Sequence, residues 1–224
     1  MNSAAGERRE VEYAVHGGVS LKGHLYAPKA PGKYPAVIAV HGGGWRLANL
    51  DNYRHLGPWL AERGYVVLAV THRLSEPGQK AFPEAVQDVR AAVQFAKGNA
   101  AELGIDRERI ALMGFSLGAY LSLANSAIDP RVKAVVEFFG GMPKEMHLFM
   151  RRLCPVLIMH GEADQTIPVE EAFQLQKLLE KKGIPYEVKI YPGVGHGFED
   201  ETIWRDAGLR SLQFLQKYLV APEP

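Results

Sequence analysis

The sequence predicts an α/β protein: one mostly parallel sheet of about eight strands, with helices on both faces. Three observations carry that expectation. Short β-rich apolar runs alternate with longer stretches of helical period along the chain. Runs such as Pro35 to Val40 are unbroken in their apolar character, as strands covered on both faces must be. The 224 residues are 47% apolar and 23% charged, which suffices for a single core without disulfides or metals, so one domain over residues 1–224 is the economical reading.

Taken in order, Val11 to Val15 and Val19 to Tyr26, parted by Gly17-Gly18, read as an opening antiparallel hairpin. Pro35 to Val40 is the first fully buried strand, and Tyr65 to Val70, Arg109 to Met113, Val132 to Phe139, Pro155 to Met159 and Tyr186 to Tyr191 are its partners. Helical stretches fall at about Tyr53 to Arg63, Pro83 to Leu103, Leu117 to Ser126, Val169 to Lys182 and Glu201 to Tyr218. The second is the clearest, because Ala85, Val89, Ala92, Val93 and Ala96 recur at three- and four-residue intervals and give one apolar stripe. In an open parallel sheet, ligands bind beyond the carboxyl ends of the strands, so the chemistry belongs in the segments that follow them.

A net charge of +1 and the lack of any block of like charges give no footprint for nucleic acid or an anionic membrane. No segment approaches the ~20 apolar residues of a membrane helix, and Met1 to Glu12 is polar, so a cytoplasmic protein is expected. The lone Cys154, inside the apolar run Cys154-Pro155-Val156-Leu157-Ile158, reads as a core residue.

Directly after Ile110-Ala111-Leu112-Met113 comes Gly114-Phe115-Ser116-Leu117-Gly118, followed by the small-residue helix from Ala119. In this strand–turn–helix context G-x-S-x-G forms a sharp turn that presents the serine hydroxyl at a helix N-terminus. A serine hydroxyl is a weak nucleophile and needs a base, held in the right tautomer by a third group. His160-Gly161-Glu162-Ala163-Asp164 follows a later strand, and Pro192-Gly193-Val194-Gly195-His196-Gly197-Phe198 follows the last. Ser116, Asp164 and His196 are therefore the expected nucleophile, orienting acid and base. Glu162, Glu199 and Asp200 are rival acids, the latter two reading better as a cap for the final helix. After the first buried strand, His41-Gly42-Gly43-Gly44-Trp45 offers free backbone amides, so Gly43 and Gly44, with Leu117, are the expected oxyanion donors. His41 reads as a structural support for that loop.

Together these segments resemble the α/β-hydrolase superfamily, specifically small bacterial esterases related to dienelactone hydrolases, over nearly the whole chain. Arg73-Leu74-Ser75 through Phe82-Pro83 and Gly104-Ile105-Asp106 also resemble the hormone-sensitive-lipase and feruloyl-esterase branch. There are two departures: dienelactone hydrolases typically place a cysteine where this chain has Ser116, and the lipase branch usually carries an acidic elbow and a lid. The resemblance implies an α/β-hydrolase fold and hydrolysis of a small-molecule carboxylic ester through an acyl-enzyme, and the open site expected without a lid favours short-chain or small aromatic or acetyl esters. The histidines are scattered and none sits in an H-E-x-x-H helix, so no metal is expected, nor any cofactor, in a monomer or homodimer. The connection Met142 to Leu153 is too short for a lid domain, and Trp45, Met142 and Met146 are expected to line an open pocket. A prolyl-oligopeptidase-like peptidase and a non-catalytic ligand-binding protein on the same scaffold are the rival readings, and labelling by an active-site phosphonate separates the second from an enzyme.

Overall fold

The computed structural model describes residues 7–75, 82–142 and 153–220. Among these, eight strands form one sheet: β1 Arg9–His16, β2 Val19–Tyr26, β3 Tyr34–Val40, β4 Val66–Val70, β5 Ile105–Phe115, β6 Val132–Phe138, β7 Val156–Gly161 and β8 Tyr186–Tyr191. Their order is β1-β2-β4-β3-β5-β6-β7-β8. The β1–β2 hairpin is antiparallel and β2 runs antiparallel to β4, whereas every pairing from β4 through β8 is parallel. Six strands therefore end at one edge of the sheet.

The helices are α1 Leu56–Ala61, α2 Phe82–Gly98, α3 Ala100–Leu103, α4 Leu117–Ile128, α5 Glu170–Lys182 and α6 Glu201–Leu219. The two-residue period of the strands divides the core between two faces. Ile38, Leu68, Leu112, Val135 and Ile158 pack with Val89, Val93, Leu121, Leu175 and Leu179 from α2, α4 and α5. Their neighbours Val37, Val67, Met113, Val136 and Leu157 pack on the other side with Leu60 of α1 and Phe214 and Leu215 of α6. Both faces are covered, which is why these strands lack the polar alternation of an exposed sheet.

Element boundaries differ from expectation in three places. The expected helix from Tyr53 to Arg63 is a 3-10 turn, Leu50–Tyr53, followed by the short α1, because Pro58 fits only the first turn of a helix and Gly64, at φ 85°, turns the chain out of it. The stretch from Pro83 to Leu103 is two helices, broken after Gly98 with Asn99 as the cap position of α3. The strand expected from Arg109 begins at Ile105, since Ile105 pairs with Tyr34 before the register shifts. Asp200 caps α6, its carboxylate accepting the Thr202 amide at 2.6 Å. Burial pushes the Cys154 thiol up to about 12, which suits a packed side chain rather than a nucleophile.

Candidate active site

The loops that follow β3, β5, β7 and β8 converge at the carboxyl edge. Ser116 sits between β5 and α4 with φ 52° and ψ −118°, a strained conformation for a residue with a side chain. Its geometry depends on close backbone packing: a Cβ on Gly114 would lie 2.2 Å from the carbonyl carbon of Gly118, and one on Gly118 would lie 2.1 Å from the carbonyl oxygen of Val40. Both positions must be glycine for strand, turn and helix to approach this closely. The Ser116 amide donates to the Phe138 carbonyl at 2.9 Å, which fixes the turn to β6.

Asp164 and His196 come from neighbouring loops that are themselves tied together. The Glu162 amide donates to Tyr191 O at 3.0 Å and the Ala163 amide to Val194 O at 2.9 Å. Within this frame His196 Nε2 lies 3.0 Å from Ser116 Oγ, and His196 Nδ1 lies 2.8 Å from Asp164 Oδ2. An ionised carboxylate only accepts, so Nδ1 carries the proton and Nε2 presents a lone pair to the serine hydroxyl. The Asp164 side chain is fully buried, and its other oxygen accepts the amides of Thr166 at 2.8 Å and Ile167 at 2.9 Å. The structure thus brings Ser116, Asp164 and His196 into one hydrogen-bonded chain. The other acids lie elsewhere: Glu162 accepts the Gly193 amide at 3.1 Å, Asp200 caps α6, and Glu199 is exposed.

The glycine loop lies over the serine, since a Cβ on Gly42 would be 3.4 Å from Ser116 Cβ. Gly43, with φ 108°, could not carry a side chain, because its Cβ would meet Leu47 O at 2.5 Å. Leu117 opens α4, where the first amides have no partner within the helix. Beneath the loop His41 is fully buried, donates from Nδ1 to the Gly42 carbonyl, and stacks on His72 with centroids 4.4 Å apart. Burial, with His72 beside it, lowers the His41 pKa to about 4, so the ring is neutral. His41 is therefore placed as a support for the loop and not as a second base. Trp45 is half-buried and meets Phe82 edge-on at 6.0 Å. Met142 is buried in the core cluster that packs α4 and α5, and Met146 lies outside the described residues.

The sequence reading overlooked three residues that touch this assembly. His160 Nε2 donates to Ile167 O at 2.8 Å and sits 3.3 Å from Asp164 Oδ2, a second contact on the oxygen that faces His196. Burial lowers the His160 pKa. Phe139, with φ 41°, presents its ring edge-on to His196 at 5.1 Å. Glu137 is a buried carboxyl at the end of β6, and its signal was visible in the sequence as one charge in the run Ala134-Val135-Val136-Glu137-Phe138. Among the described residues no group of three or more His, Cys, Asp or Glu side chains is arranged to hold a metal ion, and no helix is long and apolar enough to cross a membrane.

A model of the dienelactone hydrolase family matches residues 21–207. The chain belongs to that family. This dienelactone hydrolase family member is also 28% identical over 221 residues to dipeptidyl aminopeptidase BIII of Pseudoxanthomonas mexicana, a match covering 76% of the chain and 31% of the peptidase. It is 33% identical over 135 residues to an arylesterase of Saccharolobus solfataricus, over 59% of the chain and 43% of that protein. The chain thus spans less than half the length of each of these two curated relatives. Among solved structures, Thermogutta terrifontis esterase 2 phosphorylated by paraoxon superposes with a TM-score of 0.85 at 23% identity, covering 96% of both chains. That likeness establishes the α/β-hydrolase fold.

Proposed function

We propose that this family member is a serine esterase for short-chain, acetyl or small aromatic carboxylic esters. The observation that carries the reading is the continuous hydrogen-bonded chain from Ser116 Oγ through His196 to Asp164 Oδ2. Ser116 Oγ attacks the ester carbonyl as its proton passes to His196 Nε2, and Asp164 holds the imidazolium in place. The tetrahedral oxyanion is met by the amides of Leu117, Gly43 and Gly44. Its collapse expels the alcohol, which takes the proton from His196, and leaves an acyl-Ser116. Water, deprotonated by the same histidine, attacks the acyl-enzyme; the acid departs and Ser116 regains its proton.

Two features favour small esters. Seventeen residues, 139–155, connect β6 to β7, too few for a separate lid domain. The half-buried Trp45, met edge-on by Phe82, adds an aromatic side chain directly after the glycine loop. The test is a kcat/KM comparison of p-nitrophenyl acetate, butyrate and decanoate, feruloyl and acetyl-sugar esters, and a dipeptide p-nitroanilide, with fluorophosphonate labelling of the protein. Label on Ser116 and a preference for acetyl, butyryl or feruloyl esters are expected. A faster anilide would favour a peptidase, and no label with no turnover would leave a ligand-binding protein.

A further inference from the structure

Glu137 is the one charged side chain in the interior half of β6, with Gly114 of β5 and Ile158 of β7 opposite it in register, and it is completely buried. Its Oε2 accepts the Gly140 amide at 2.9 Å, and its Oε1 has no hydrogen-bond partner. Among the described residues no lysine, arginine or histidine pairs with it. The nearest titratable group from a packed element is Tyr120 of α4, whose phenol is raised by burial first and then by the carboxylates of Glu171 from α5, Glu137 itself and Asp164 from the loop after β7. Burial pushes Glu137 up to about 8, so it is a neutral acid at neutral pH.

The turn that Glu137 holds lies directly behind the serine. Phe138 O receives the Ser116 amide at 2.9 Å, and the Phe139 amide donates to Met159 O at 2.7 Å. A Cβ on Gly140 would lie 3.2 Å from Ser116 O and 2.3 Å from Ala119 Cβ. Phe139, strained at φ 41°, packs its ring against His196. A buried carboxyl with an unpartnered oxygen disfavours folding relative to an apolar side chain of the same size. That unfavourable group stands where the supports of the nucleophile and the base meet.

We propose that Glu137 is a positioning residue: through the Gly140 amide it clamps the Phe139–Gly140–Gly141 turn against the Ser116 elbow and so sets both the serine and the His196 ring. The inference rests on the roles given above to Ser116 and His196. Loss of its proton places a negative charge in a dry interior with no cation beside it among the described residues, next to the turn that must stay fixed while an oxyanion forms. Turnover is then lost on the alkaline side by a route that involves neither Ser116 nor His196 titration.

The test is kcat for p-nitrophenyl acetate, corrected for spontaneous hydrolysis, from pH 6 to 9.5 in the parent, Glu137→Gln and Glu137→Met, with reactive Ser116 counted by fluorophosphonate at pH 7. The parent kcat should fall about tenfold between its plateau and pH 9, as one ionisation near pH 8 requires. Glu137→Gln, which retains an acceptor for Gly140 but cannot ionise, should restore a level profile through pH 9 with KM little changed. Glu137→Met, which has no acceptor, should lower kcat at every pH with KM again little changed. Superimposable parent and Gln profiles, or a parent rate that is level to pH 9.5, overturn the inference while leaving the esterase reading intact if the label still reacts. A parent that neither turns over ester nor takes up label removes the esterase reading, and this inference with it.

Discussion

Asp164 and Glu137 are both buried carboxyl side chains at the carboxyl edge of the sheet, one just beyond β7 and the other at the end of β6, and their surroundings satisfy them in opposite ways. Asp164 is met on one oxygen by the amides of Thr166 and Ile167 and on the other by His196, with His160 nearby. Glu137 receives a single amide and leaves an oxygen bare. The difference lies in the number of donors that tertiary packing aims at each carboxyl. A carboxyl ringed by donors can balance the imidazolium of a base, whereas one with a single donor is held neutral and acts through shape.

The largest effect should come from removing the atom that both carboxyls serve. Ser116→Ala is expected to abolish phosphonate labelling and to lower kcat by roughly 10⁴ to 10⁶, with thermal unfolding little changed; retained turnover would remove the basis of the comparison. Next, Asp164→Asn should cost on the order of 10⁴ in kcat, because the amide favours the wrong histidine tautomer. Glu162→Gln should do little, and the reverse ranking in a kcat assay would transfer the acid's role to Glu162.

A smaller loss tests the opposite wall of the site. Gly43→Ala should lower kcat by about 10² to 10³, the cost of one oxyanion donor, because a Cβ there displaces the loop at Leu47 O. The comparison sharpens further through stability. Glu137 has a folded-state pKa raised from 4.5 to about 8, so its contribution is fully present below about pH 4.5 and is lost progressively as pH rises to 8. Urea midpoints should therefore show the parent losing ground to Glu137→Gln over that interval and levelling off above it; a constant difference would mean that Glu137 is ionised in the folded protein. The smallest effect is the one expected from dialysis against a strong chelator. Activity should not change, because Ser116 and His196 supply nucleophile and base, and restoration of a lost rate by Zn²⁺ would refute that assignment.

Much of this was legible beforehand for identifiable reasons. The parallel strands announced themselves because burial on both faces demands unbroken apolar runs, and the elbow because Gly114 and Gly118 have no room for a Cβ. The helix boundaries were less legible. Periodicity spans Pro83 to Leu103 without revealing the break after Gly98, and the segment from Tyr53 reads as one helix although Pro58, which belongs in a first turn, marks a new start at Leu56.

The sequence by itself determined the fold class, the place of Ser116 in its turn and the chain order of serine, acid and histidine, since each follows from local sterics and strand period. Only the tertiary structure decided which carboxyl meets His196, that His160 shares Asp164, that His41 rests on His72, and that Glu137 is sealed in with no cation beside it among the described residues. The reason is distance along the chain: His196 meets a serine 80 residues away and an aspartate 32 residues away. The charge state and partners of a buried group are set by what long-range packing brings beside it.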